Sequence, residues 1–207
     1  MEQKKRLELY EKLYFQAGEI QEKLHSRVQG VFAFALIIAS AIHYIIKNMI
    51  FFNDFFSWAI SLSLFISSLL LIESIISLTK AFWGNKYAII TTPEDLDFYL
   101  LQLEKTKTEQ ENYNKTYPEN RVDIVNPEIM LSEFYYKKIR EISTYNMDIN
   151  SNRQENIHIS VKKLLWSLAP FAVGLTIFLI ANLDSSSPRN SQNNSTKYVI
   201  INNADKI

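Results

Sequence analysis

Cysteine is absent from these 207 residues, and glycine, proline and histidine are scarce, at four, five and three. Without cysteine there is no disulfide framework and no thiolate metal site, which leaves the redox compartment open. So few glycines, none clustered, provide neither a glycine-rich phosphate loop nor a nucleophile elbow. His25, His43 and His158 stand at no metal-ligand spacing. Catalysis by this chain is therefore not expected, and no cofactor or metal is implied. Breakers are missing too: Pro170 and Gly174 alone fall inside a long apolar run, so the paired helix interruptions that mark many transporters are lacking. Neither sign of charge prevails, with 22 basic against 22 acidic side chains. That balance says little about partners, because most charges crowd into Met1–Arg27 and Lys80–Lys163.

What the chain does have is apolar length. Val31–Phe52 and Phe55–Leu78 stand back to back across Asn53-Asp54, and Leu164–Leu183 follows a polar stretch. Each run meets the length of about 20 residues that a hydrocarbon core of about 30 Å demands of a helix. Only a helix satisfies every backbone hydrogen bond within such a run. The expectation is an all-α membrane protein with three transmembrane helices and long cytosolic helical extensions. It divides into a cytosolic amphipathic helix (1–30), a two-span hairpin (31–78), a cytosolic helical segment (79–163), a third span (164–183) and a linker with tail (184–207). A cleaved signal peptide is not expected, since the first run begins behind a charged stretch with no small-residue cleavage pattern.

Basic residues near the span ends set the orientation. Met1–Gly30 carries six, Lys4, Lys5, Arg6, Lys12, Lys23 and Arg27, while the turn between the first two spans carries none. The segment before the third span holds Lys80, Lys86, Lys137, Lys138, Arg140, Arg153, Lys162 and Lys163 among others. Positive-inside logic puts the N-terminus and the middle segment in the cytoplasm. A multi-pass protein of a bacterial inner membrane is the expectation.

Leu7, Tyr10, Tyr14, Ala17, Leu24 and Val28 recur at helical spacing and predict an amphipathic helix running into the first span. Phe82-Trp83-Gly84-Asn85-Lys86-Tyr87 has the character of an interfacial belt. Thr92-Pro93-Glu94-Asp95 and Asn126-Pro127-Glu128 read as helix starts, with Glu109–Val125 a loop between them. From Pro127 one helix is expected to continue into the third span, with Leu131, Phe134, Ile142, Tyr145 and Ile149 on its apolar stripe. Ser185–Ser195 reads as a flexible linker, and Tyr198–Ile201 as a short C-terminal strand.

Seven serines lie in the second span. At 100° per residue, Ser57, Ser61 and Ser68 share one face, and Ser63, Ser67, Ser74 and Ser77 another. Such hydroxyls serve either close helix packing or a water-lined path, for which Ser63, Ser67 and Ser74 are the candidate lining. Glu73 stands at the mouth of that path or snorkels to the interface. Lys47 is read as snorkelling and His43 as an interhelical hydrogen-bonder. Asn146, Asn150 and Arg153 form one stripe, with Asn152 and Asn156 beside it. Amides and a cation suit a polar, anionic ligand, so Asn146, Asn150, Arg153 and Asn156 are candidate ligand-binding residues. The competing reading is a polar layer that fixes helix register.

An amphipathic helix, a tight two-span hairpin, a helical segment and a Tyr-x₇-Arg element entering the last span occur here in that order. The last element reads Tyr145-Asn146-Met147-Asp148-Ile149-Asn150-Ser151-Asn152-Arg153, then Val161-Lys162-Lys163-Leu164. Over roughly residues 7–183 this order resembles the small helical membrane effectors of bacterial anti-phage systems, the SLATT-type proteins and the related channel subunits of Hailong-type defence. The resemblance implies a homo-oligomeric ion-conducting pore, opened or held shut by a nucleotide or DNA oligomer from a partner nucleotidyltransferase. A tetramer is the expected assembly. Two departures stand out: minimal members have two spans, and the Tyr198–Ile201 strand is not part of the pattern. The alternative is a non-conducting anchor or sensor that recruits a soluble partner through its cytosolic helices.

Overall fold

The computed structural model describes residues 3–83 and 86–186. Four helices follow in chain order: α1 (Gln3–Asn48), α2 (Phe55–Phe82), α3 (Pro93–Thr116) and α4 (Pro127–Ile180). α1, α2 and α4 are long and apolar enough to cross a membrane. No strand occurs among the described residues, where the single β-type pairing is an isolated bridge between Met49 and Asp184. The expected strand at Tyr198–Ile201 lies outside the described residues.

Local chemistry explains where the helices start and stop. Asp54 caps α2, its Oδ1 accepting from the Ser57 N–H at 2.8 Å, and Thr92 caps α3 by accepting from the Asp95 N–H at 3.2 Å. Asn126 does the same for α4, accepting from Glu128 and Ile129 at 3.1 and 3.3 Å. α4 ends in a Schellman motif. Leu183 donates to the Phe178 carbonyl at 3.3 Å and Asn182 to Leu179 at 3.4 Å, with Asn182 in the left-handed region at φ 52°.

α3 runs eight residues past the boundary at which its apolar period fades, to Thr116 rather than stopping before Glu109. Polar residues cost a helix only tenths of a kcal/mol each, roughly 0–0.7, and no proline intervenes before Pro118. The return segment is tied to this helical extension. The Asn114 side chain bonds both the N–H and the carbonyl of Val122 at 2.8 Å, and Gln110 accepts from the Val125 N–H at 2.8 Å.

Burial follows one pattern in all three long helices. On α2 the buried positions include Ser57, Ile60, Leu64, Ser67, Leu71, Ser74, Leu78 and Ala81; on α4 they include Ile139, Ser143, Asn146, Asn150, Arg153, Ile157, Ser160, Leu164 and Ser167. On α1, Ala17, Leu24, Val28, Ala35, Ile38, Ile42 and Ile45 lie on the same kind of stripe. Steps of three and four alternate, which is the heptad of about 3.5 residues per turn seen in supercoiled helices. This corrects the two-face reading of the serines: Ser57, Ser67, Ser74 and Ser77 are buried, whereas Ser61, Ser63 and Ser68 are half-buried. A 100° projection drifts about 20° per heptad from such a seam. The α4 stripe is corrected likewise, since Ser143, Asn146 and Asn150 are buried and Tyr145 is exposed.

The chain forms two compact units, one of residues 3–24 and 86–152, the other of residues 25–83 and 153–186. In the first, Tyr10 meets Tyr136 with ring centroids 5.3 Å apart and Tyr99 meets Phe134 at 4.7 Å. The second has an apolar core that includes Ala35, Ile38, Ile42, Ile60, Leu64, Leu71 and Phe178.

Candidate functional site

In the second unit the serines of α2 meet those of α4. Ser67 Oγ donates to the Ser167 carbonyl at 2.9 Å. A turn and more along, Ser74 Oγ donates to the Ser160 carbonyl at 2.8 Å and lies 2.9 Å from the Ser160 hydroxyl. All four serines are buried. Next to them Ser63 faces Gly174 so closely that a Cβ on that glycine would lie 3.3 Å from the Ser63 Cβ. Small residues let two helix backbones approach and exchange hydrogen bonds, and the residue pairs recur at heptad spacing.

The heptad after Ser74 and Ser160 is Ala81 and Arg153. The Arg153 Nε donates to the Ala81 carbonyl at 2.8 Å. Ala81 stands in the last turn of α2, where carbonyls have no intrahelical acceptor role to fill, and a cation there also meets the negative end of the helix dipole. Arg153 is only 4% exposed, so its charge is placed where backbone oxygen solvates it. Glu73, exposed beside the seam, pairs with Lys163 at 2.9 Å. The candidate path residues therefore separate: Ser67 and Ser74 are engaged by α4, Ser63 is half-buried at the Gly174 contact, and Glu73 is ion-paired. His43, read as an interhelical hydrogen-bonder, is exposed, as is Lys47.

The first unit holds the other polar cluster. Residues 86–92, which precede α3, have no helix or strand assignment. Asn146 clamps this stretch through Ala88, donating from Nδ2 to its carbonyl and accepting at Oδ1 from its N–H, each at 3.0 Å. Asn150 donates to the Ala17 carbonyl at 2.8 Å and accepts from the Tyr87 hydroxyl. Asn146 thus serves backbone that has no helical partner, whereas the Asn150 amide adds a donor to a carbonyl inside α1. Asn156 is half-buried, and Asn152 is exposed. Tyr14, Phe15, Gly18, Glu19, Glu22 and Tyr87 line, with Asn146, a surface cavity of about 370 Å³. Sequence reasoning had no signal for Ala88 or Tyr87 as the partners of these amides, because neither lies in a periodic element.

Two carboxylates flank the chain reversals of the second unit. The Ser57 hydroxyl and N–H hold Asp54 below the usual carboxylate range against a small desolvation effect. The Ser186 hydroxyl, then its backbone N–H and the Tyr44 hydroxyl, lower Asp184 in the same way. Tyr44 reaches Asp184 at 3.3 Å, and the backbones are tied by Ile50 donating to Leu183 at 2.8 Å and Ser185 to Asn48 at 2.9 Å. No group of histidine and carboxylate side chains able to hold a metal occurs among the described residues. No protein-family model, curated protein or solved structure matches the chain.

Proposed function

We propose that the chain is the subunit of a homo-oligomeric ion channel, an effector of bacterial anti-phage defence that depolarises the inner membrane. Its signal would be a nucleotide or oligonucleotide from a partner nucleotidyltransferase. In this reading α1, α2 and α4 cross the membrane, and the N-terminus and the unit of residues 3–24 and 86–152 lie in the cytoplasm. Three spans are too few to enclose a path, so conduction takes several copies related by rotational symmetry, four being the first choice.

The observation that carries this reading is the hydroxyl content of α2, with seven serines on a helix otherwise apolar enough to span a bilayer. Ser67 and Ser74 are engaged by α4, and in this reading the described conformation is the closed one. Opening would part α2 from α4, release those hydroxyls and Ser63 toward water, and break the Glu73–Lys163 pair at the mouth. The signal would compete for the Asn146 and Asn150 amides, with Arg153 and Asn156 as the other residues proposed to take part.

The test uses the absence of cysteine. Expression of the parent chain, with its genomic partner and signal supplied, should collapse the membrane potential read by a fluorescent dye. A Ser74→Cys/Ser160→Cys chain should do so only under reducing conditions. Equal depolarisation with the disulfide formed would show that the seam does not open. An unchanged potential in every case, with the protein in the membrane fraction, would sink the channel reading.

A second reading has its own observation. The first unit leaves Phe15, Ile89, Phe98 and Leu101 exposed, apolar side chains that a partner protein would cover. That favours an anchor which recruits a soluble partner. Binding of such a partner by membranes carrying the chain, with no conductance, would decide for it.

A further inference from the structure

The second unit carries a groove between α1 and α2 with a volume of about 390 Å³. Its floor is aliphatic, formed by buried Val28 and Leu78. Its walls are aromatic: Phe32, Phe82 and Trp83 line it, and all three stay substantially exposed, Trp83 at 77%. Its polar residues are few. Thr79 turns its hydroxyl inward to the Ile75 carbonyl at 2.9 Å. His25 lies against Phe82 with ring centroids 5.2 Å apart, and Gln29 completes the rim.

Among the described residues no carboxylate lines the groove, and two exposed cations, Arg27 and Lys80, are chain neighbours of the lining residues Val28 and Thr79. The groove also sits at the basic ends of two apolar runs, where one starts at Val31 and the other finishes at Leu78. A slot with hydrocarbon and aromatic walls and cations at the polar end of two spans has the chemistry of an amphiphile site, with acyl chain inside and phosphate at the rim.

We propose that this groove binds an anionic glycerophospholipid, one acyl chain lying over Val28 and Leu78 between Phe32 and Trp83, and the phosphate meeting Arg27 and Lys80. The inference rests on reading α1 and α2 as membrane spans, and it is independent of conduction. A lipid seated there would bridge α1 to the end of α2 and couple membrane composition to the position of that helix.

Trp83 reports on the site directly. The full chain would be placed in phosphatidylcholine vesicles containing equal mole fractions of either brominated phosphatidylglycerol or brominated phosphatidylcholine. Quenching would be read in variants that each retain one tryptophan of Trp58, Trp83 and Trp166. At Trp83 the anionic lipid should be preferred by up to about thirtyfold, as two cations near a lipid surface allow, and Trp58 should show no such preference. Arg27→Gln/Lys80→Gln should bring the Trp83 ratio close to that of Trp58, and Thr79→Phe, which fills the groove, should lower quenching by both lipids.

Equal quenching of Trp83 by the two lipids in the parent chain overturns the site while leaving the spans standing. A preference that persists in the double glutamine variant overturns the role of the two cations. Absence of quenching at all three tryptophans would overturn the membrane reading itself. Retained helicity and monodispersity in detergent would show that each variant folds.

Discussion

Ser74 and Ser160 face each other across α2 and α4 so closely that one hydroxyl both donates to the opposite carbonyl at 2.8 Å and lies 2.9 Å from the opposite hydroxyl. Both side chains are buried, so the contact tolerates neither bulk nor polarity change freely. Ser74→Leu should overpack the seam and destabilise by about 1–3 kcal/mol, read as a lower midpoint of thermal unfolding in detergent. Ser74→Ala keeps the volume and loses one interhelical bond, typically about 0.6 kcal/mol between membrane helices. Equal effects of the two would mean that the backbones do not approach as described.

Asn146 satisfies both backbone groups of Ala88. Asn146→Ala should leave a donor and an acceptor without partner at a cost of about 1–3 kcal/mol. The loss should be local, appearing as faster hydrogen exchange at the Ala88 amide and faster proteolysis within residues 86–92. Asn146→Asp keeps the acceptor and removes the donor, so the Ala88 amide should stay protected better than in the alanine variant. Unchanged exchange in Asn146→Ala would refute the clamp.

Arg153 bonds a carbonyl in the final turn of α2. Arg153→Met removes a buried charge, which relieves desolvation, but also takes the donor from Ala81. A bond from a charged donor contributes about 1.5–3 kcal/mol, so the loss should outweigh the relief and the unfolding midpoint should fall. Arg153→Lys keeps the charge without the planar fork and should fall between the two. A more stable Arg153→Met chain would show that desolvation dominates.

Asp54 and Asp184 have carboxyl groups held below their ordinary range, the first by Ser57 and the second by Ser186. A depressed folded value means that the unfolded chain binds the proton more readily. The stabilisation is therefore present above the unfolded pKa of about 3.9 and is lost as pH falls through the folded value. Unfolding midpoints should decline below about pH 4, and the decline should be shallower in Asp54→Asn, where the asparagine still caps α2. An identical acid limb in Asp54→Asn and Asp184→Asn would remove these groups from the account.

Capping and apolar length were readable from the residues themselves. Thr92 and Asn126 act by accepting hydrogen bonds from N–H groups two or three residues on, and such local bonds need no knowledge of the rest of the chain. The Asn146, Asn150 and Arg153 stripe was also legible as a stripe, because spacing on one helix sets it, and all three are buried. Its partners were not. Ala88, Ala17 and Ala81 are distant in sequence and offer only backbone atoms, which every residue carries alike. The serine faces were misdivided because a helix in a supercoil repeats at about 3.5 residues rather than about 3.6, and the partner helix selects that period.

The sequence alone determined that three segments are helical and long enough to span a bilayer, and that helices start at Thr92 and Asn126, since hydropathy and short-range hydrogen bonding are local properties. The tertiary structure decided which serines are buried and what each polar side chain binds. It placed Ser67 and Ser74 against α4, gave Arg153 to Ala81, and opened the groove beside Trp83. Those outcomes depend on the register between helices, and register is set by how close two backbones can come, as at Ser63 and Gly174, which no single helix specifies.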